Sequence, residues 1–452
     1  MFRERLGGLA LAALAVALLA APSRGAADPT AQTSAQPPAA ARRAAATPEQ
    51  LGFDSARLKR LDAALAAAVA DGRVPGMSYV LLRHGKVVDE KLIGLRDAAA
   101  GAPVRKDTIF RVYSMSKPIT GVAMMILYEQ GKWRLDDPVT KFIPEFKSLK
   151  VMTGVDDQGR PVLVPASRPP TMRELMSHTA GFGYGLGDKL PVDKMFREKQ
   201  VLAAPSLKEL VNRVADIPLM YQPGTNWYYS IAVDLQGYIV EKISGQRLGD
   251  FMAQNIFQPL KMRDTAFYTG PERASRLAQL YQANPDTGKL VVPTDLFGNP
   301  MPTYVTPPAL DSGGGGLVST LGDYARFAQM LANGGQLDGV RILNPRTVAL
   351  METNVVPQSV LVNANGTTGA RFNEAVGFGL DGMVVTDPLK AGRLEGRNTF
   401  SWGGAAGTWF WVDPTNDVVF VGMIQRLGGT GGDDLGELAR TLTYQALVRP
   451  EK

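Results

Sequence analysis

Residues 116–131, SKPITGVAMMILYEQG, form an apolar run with one lysine near its start. Residues 107–130 read as one buried helix around this run, which is apolar on nearly every side, so other layers must enclose it. A lysine inside such a helix has to find partners away from water. The chain has the mass to build that enclosure. It holds 452 residues, 45% hydrophobic and 20% charged, within the range of ordinary globular proteins.

The segments around the run suggest what encloses it. In TPEQLGFDSARLKRLDAALAAAVADG, Leu58, Leu61, Leu65 and Val69 recur at helical spacing. MSYVLLRHGKVVDEKLIG holds two β-rich runs around His84-Gly85, the pattern of a hairpin. TLGDYARFAQMLANGG reads as a helix ended by Gly334. RNTFSWGGAAGTWFWVDPTNDVVFVGMIQ reads as strands with a turn at DPTND, and a last helix is expected over 433–448. Strands near both ends with helices between them predict an α+β fold: a mostly antiparallel sheet flanked by helices, with a mainly helical insertion. The sheet-containing part is expected over about 48–150 and 310–452, and the insertion over about 151–309.

Residues 1–27 read as an export signal, with Arg3 and Arg5 before an apolar run and small residues after it. The run is short for an uncleaved membrane anchor. Residues 28–47 are low in complexity and read as a linker. The expected location is therefore periplasmic or secreted, with no stable membrane insertion after cleavage. Removing the signal takes away three arginines and one glutamate, lowering the net charge from +6 to about +4. No dense basic run with interleaved aromatics supports nucleic-acid binding. Oligomeric state has no signature in the sequence.

The chain has no cysteine, which removes disulfides, thiolate metal sites and cysteine nucleophiles. It has two histidines. His84 falls in the expected hairpin turn, and His178, in ELMSHTAGFG, reads as a residue that fixes a loop. No H-E-x-x-H motif or G-x-S-x-G elbow occurs. Neither a metal nor a cofactor is implied. DSGGGGLVST, residues 311–320, lacks the ending of a phosphate loop and reads as a tight backbone passage.

A serine activated by lysine remains. Ser114 and Lys117 form the chain's one Ser-x-x-Lys. Helical residues three apart share a face, and adjacent ones do not. Ser114 is thus the serine that Lys117 reaches, and Ser116 points elsewhere. A lysine works as a base only after giving up its proton, which an apolar setting favours. Pro118 places the pair near the helix start, where free N–H groups suit an oxyanion.

TIFRVYSMSKPITGVAMMILYEQGKWRLDDPVTKFIPEF resembles the active-serine segment of the serine β-lactamase-like superfamily. The likeness is greatest to the class C branch and to family VIII carboxylesterases. LMSHTAGFGYG, YQPGTNWYYSIAVDLQGYIVEKISG, IFQPLKMRDTAF and GGGGLVSTLGDYARFAQML follow in the family's order, so the resemblance runs from about residue 50 to 445. It implies that Tyr229, in Tyr229-Ser230-Ile231, shares proton transfer with Lys117 and helps activate water. Tyr228 competes for that role, but the alignment of Tyr-Ser favours Tyr229, for which a packed aromatic is the alternative. The family's third motif, Lys-Thr-Gly on an edge strand, corresponds here to Trp402-Gly403-Gly404. The lysine that steers a β-lactam carboxylate is missing, and an aromatic there suits an uncharged group. By the same resemblance the oxyanion takes N–H groups from Ser114 and Ala405. A tryptophan that only packs on its strand is the alternative.

These residues imply an exported serine hydrolase with an acyl-enzyme step, acting on a small-molecule ester. The rivals are a β-lactamase or D-alanyl-D-alanine carboxypeptidase acting on a β-lactam-like substrate, and a non-catalytic binding member of the fold.

Overall fold

The computed structural model describes residues 46–450 except 187–189, 297–298, 363–371, 373 and 429–433. The expected signal, the linker up to residue 45 and the first residue of the expected last helix lie outside the described residues.

An eight-stranded sheet forms the frame. From edge to edge its strands are Val376–Phe378, Met383–Val385, Thr399–Gly403, Trp409–Asp413, Val418–Met423, Gly76–Arg83, Lys86–Asp97 and Ala102–Pro103. Every neighbouring pair is antiparallel. The N-terminal hairpin turns at His84 and Gly85, with φ of 51° and 67°. Two successive positive φ values are what a two-residue hairpin loop needs to match strand twist.

Alternation along the central strands separates two cores. Tyr79, Leu81, Trp409, Trp411 and Phe420 point to one face, where they meet Leu58, Leu61, Leu65 and Ala439. Helices Ser55–Ala70 and Leu435–Tyr444 cover that face. Phe420 stacks on Tyr79 at 5.6 Å and on Trp411 at 4.3 Å, so rings from three adjacent strands form a row. Gly422 gives the row its room: a Cβ there would come within 2.2 Å of the Trp409 ring. Val80, Phe410, Val412, Val419 and Val421 point the other way, into the larger core. Helix Leu321–Ala332 brings Tyr324, Phe327 and Leu331 against them.

The run that opened the sequence is the helix Ser116–Glu129, and twelve residues from Ser116 to Leu127 are buried. It packs against helix Ala232–Ser244 within the larger core. The segment before it divides where a continuous helix was expected. Ile109–Arg111 is a strand, and Tyr113–Met115 is one turn of 3₁₀ helix. Ser114 thus precedes the α-helix. The tighter turn still eclipses positions three apart, so the geometric argument for Ser114 and Lys117 survives.

Thr399–Gly403 is not an edge strand, contrary to expectation. Two short strands add outside it, and Met383–Val385 pairs with residues 399–401. That pairing stops at Ser401, so Trp402 and Gly403 are laddered on one side alone, toward Phe410 and Trp409. The last helix spans Leu435–Tyr444, shorter than expected at both ends. Among the described residues no helix is long and apolar enough to cross a membrane.

One buried acid lies apart from these layers. Glu352, at the C-terminal end of helix Pro345–Met351, is buried, and its Oε1 has no hydrogen-bond partner. Burial pushes its pKa from 4.5 up to about 8. Between those values the folded chain keeps a proton that the unfolded chain has released. Stability present below pH 4.5 is therefore lost as pH rises toward 8, by at most about 1.4 kcal/mol per pH unit. Glu352→Gln should flatten this decline and stabilise the protein at pH 7, as read by urea unfolding at pH 5 and 7.

Candidate active site

Ser114 is half-buried at the wall of a cavity of about 1090 Å³. The residue before it, Tyr113, has φ of 42°, an uncommon conformation for a residue with a side chain. This kink ends strand Ile109–Arg111 and turns Ser114 toward the cavity. Tyr229 donates its hydroxyl proton to Ser114 Oγ at 2.7 Å. Lys117 Nζ lies 3.4 Å from the same oxygen. The structure therefore brings together the three residues that the sequence singled out.

Lys117 has no exposed surface. Its Nζ donates to the Gly314 carbonyl at 2.6 Å and to the Tyr184 hydroxyl at 3.2 Å. The Tyr184 and Tyr229 rings also face it, at 5.1 and 4.5 Å. Electron-rich ring faces attract an ammonium and suit a site closed to water.

Ser116 points into the protein, where its Oγ accepts from the Leu317 N–H at 3.1 Å. It ties the helix to the glycine-rich segment and does not approach Ser114 Oγ. Tyr228 is excluded from the serine by its own bond, because its hydroxyl donates to Asp193 Oδ2 at 2.5 Å. Asp193 Oδ1 also accepts from the N–H groups of Tyr184 and Gly185, fixing the loop that carries Tyr184.

His178 is a loop-fixing residue, as its context suggested. Its Nδ1 accepts from the Ser230 N–H at 3.2 Å and contacts Ser230 Oγ at 3.0 Å. The ring packs 4.9 Å from Tyr229 and holds that tyrosine's segment in place. Burial, with the Lys117 charge nearby, pushes the imidazole pKa well below its ordinary 6.5, so the ring is neutral at physiological pH.

Trp402, Gly403, Gly404 and Ala405 line the cavity. The Trp402 ring packs 5.5 Å from Tyr229 and 5.4 Å from Phe378. Gly404 is small for a reason beyond substrate approach. A Cβ there would come within 2.3 Å of the Val112 carbonyl, so the glycine lets the sheet strand close against the chain leading to Ser114. Neither the Ser114 N–H nor the Ala405 N–H finds a hydrogen-bond acceptor among the described residues.

Sequence reasoning missed Tyr184, Asp193, Asp234 and the part played by Gly314. Tyr184 and Gly314 lay inside segments already singled out, but a backbone carbonyl acceptor has no sequence signature. Among the described residues no cluster of His, Asp and Glu is arranged to hold a metal.

A lysine-activated serine at the start of an enclosed helix, beside an antiparallel sheet, defines a serine hydrolase of the β-lactamase type. The chain belongs to the β-lactamase family, whose model matches residues 61–445. Protein Rv1367c of Mycobacterium tuberculosis is 36% identical over 360 residues, covering 78% of this chain and 86% of its own. Esterase EstB of Burkholderia gladioli is 31% identical over 385 residues, covering 81% of this chain and 90% of its own. Among solved structures, EstCE1, a hydrolase with promiscuous acyltransferase activity, matches with a TM-score of 0.70 at 25% identity, over 87% of this chain and 99% of its own.

The two neighbouring serines make separable predictions. Ser116→Ala should cost about 1–3 kcal/mol of stability, because the Leu317 N–H loses its acceptor, yet leave Ser114 open to a fluorophosphonate probe. Intact mass after labelling and thermal unfolding read the two effects independently.

Proposed function

We propose that this protein is a carboxylesterase for small or hydrophobic uncharged esters, working through an acyl-enzyme on Ser114. The carrying observation is the double approach of Tyr229 and Lys117 to Ser114 Oγ at the wall of a largely apolar cavity. A neutral Lys117 amine has two protons and one lone pair. Gly314 and Tyr184 take the two protons, which leaves the lone pair for the serine side.

In this scheme the Ser114 hydroxyl proton passes to the Tyr229–Lys117 pair as Oγ bonds the ester carbonyl carbon. The N–H groups of Ser114 and Ala405 hold the oxyanion. The C–O bond to the alcohol breaks, and the pair returns the proton to the leaving oxygen. Water then gives one proton to the same pair as its oxygen bonds the acyl carbon; the bond from that carbon to Oγ breaks and the pair returns the proton to Oγ, which releases a carboxylic acid and free Ser114.

The cavity favours esters over β-lactams. Arg440 is the single Lys or Arg side chain among the described residues that line it. Arg440 is bound to Glu395 at 2.9 Å and lies over the Trp411 ring, so it is committed to the fold. Among the described residues that line the cavity, a substrate carboxylate has no free cation to meet. Leu186, Leu202, Pro302, Pro307 and Leu310 line the cavity instead. The esterase name carried by a relative as similar as EstB supports the same reading. We also infer export, from residues 1–27; the N-terminal sequence of protein recovered outside the cytoplasm tests this.

A panel of short and long nitrophenyl esters, run beside a chromogenic cephalosporin, tests the assignment. Ser114→Ala should lower ester turnover by about 10³-fold or more. Undiminished ester hydrolysis in that variant overturns the proposal, and cephalosporin turnover matching the best ester would shift it to a β-lactamase.

A further inference from the structure

The acid–base pair of the proposed reaction sits in front of a carboxylate with no assigned role. Asp234 lies in the first turn of helix Ala232–Ser244 and has no exposed surface. Its Oδ1 accepts from Ser312 Oγ at 2.5 Å and from the Gly314 N–H at 3.2 Å. Gly314 is the residue whose carbonyl accepts from Lys117. No donor meets Asp234 Oδ2 in good hydrogen-bond geometry, but the carboxylate acts on the Tyr184 hydroxyl and helps push its pKa upward. A Cβ added at Gly314 would come within 2.4 Å of Asp234 Oδ2 and 2.7 Å of the Tyr184 hydroxyl, so both converge on the space the glycine leaves open. Tyr184 is the other fixed acceptor of Lys117.

A cation enclosed in protein needs a compensating charge, and leaving either partner alone is costly. Two buried carboxylates feel the Lys117 charge, Asp234 and Asp381. The Asp381 carboxyl accepts one hydrogen bond, from Gln236 Nε2 at 2.9 Å, and its other oxygen has none. Burial pushes its pKa well above the ordinary value, with the Gln236 amide and the Lys117 charge opposing. Asp234 is also pushed upward by burial, but Lys117, the Ser312 hydroxyl and the Gly314 N–H all oppose the shift.

We propose that Asp234 is the positioning residue and counter-charge of Lys117. It fixes the Gly314 carbonyl that aims the amine, and its negative charge stabilises the ammonium formed when the serine proton is taken up. It touches neither the substrate nor the reacting oxygen, and acts through Gly314 and Lys117. This inference rests on the acyl-enzyme reading above.

Asp234→Asn separates charge from shape. The amide oxygen can still accept from Ser312 and Gly314, so the segment keeps its hydrogen bonds while the charge is gone. The expected result is a kcat at least tenfold lower, a KM within about twofold, and a similar loss in Asp234→Ala, each measured on the best nitrophenyl ester. Wild-type kcat in a folded Asp234→Asn protein overturns the proposal, because hydrogen bonding alone would then suffice. So does a loss confined to KM. If Asp234→Asn does not fold, Ser312→Ala takes away one of the two donors and should lower kcat several-fold with KM unchanged; an unchanged kcat overturns the proposal. The Ser114→Ala control keeps the two readings apart. Ester turnover that survives Ser114→Ala defeats the acyl-enzyme assignment, whereas a normal Asp234→Asn beside a dead Ser114→Ala defeats only the role of Asp234.

Discussion

One buried amine sets the terms for the rest of this structure. Lys117 is enclosed on every side, and a polar nitrogen removed from water must find its acceptors in the chain. Beyond Ser114 in the preceding turn, those acceptors come from far away in sequence: Tyr184 is 67 residues on and Gly314 is 197. The folded position of the lysine therefore demands that three distant segments meet. Asp193 holds the Tyr184 loop by its backbone, Asp234 holds Gly314 by its N–H, and Ser116 holds Leu317. Each bond satisfies a buried polar group and also fixes one acceptor of the amine.

The convergence is possible because side chains are missing where the segments touch. The chain from 313 to 316 threads between two helices and the Tyr113 turn. A Cβ at Gly313 would come within 2.7 Å of the Val233 carbonyl, and one at Gly314 would strike Asp234. Across the cavity, Gly404 does the same for the sheet strand against Val112. Packing this close transmits position well, because interiors at crystal-like density have little room to give.

Much of this was legible in the sequence, for identifiable reasons. The two hairpins of the sheet were visible because β-rich runs and turn residues are local. The enclosed helix was visible because its apolar residues fall on every face. Ser114 followed from a spacing rule that held although the turn proved 3₁₀. What stayed hidden is non-local. Asp234, Asp193 and the Gly314 carbonyl act through tertiary contacts, and a buried acid looks like an exposed one until the fold is known. The supposed edge strand failed for the same reason: the short strands outside Thr399–Gly403 carry too few residues to declare their pairing.

The distribution of charge links this frame to the proposed chemistry. Ionisable groups stand behind the serine, in a dry layer made by Lys117, Asp234, Asp381 and the tyrosines. In front of it the described cavity wall is largely aromatic and aliphatic, and its single arginine, Arg440, is bound to Glu395. A Lys-Thr-Gly strand would put a cation on the substrate's side of the serine. Trp402 puts a ring there, and that ring packs on Tyr229. The replacement therefore does more than remove an anchor for a carboxylate. In the proposed reaction it would build the tyrosine's support from the wall beside the substrate, so that a change at Trp402 would act on acid–base geometry and on substrate choice together.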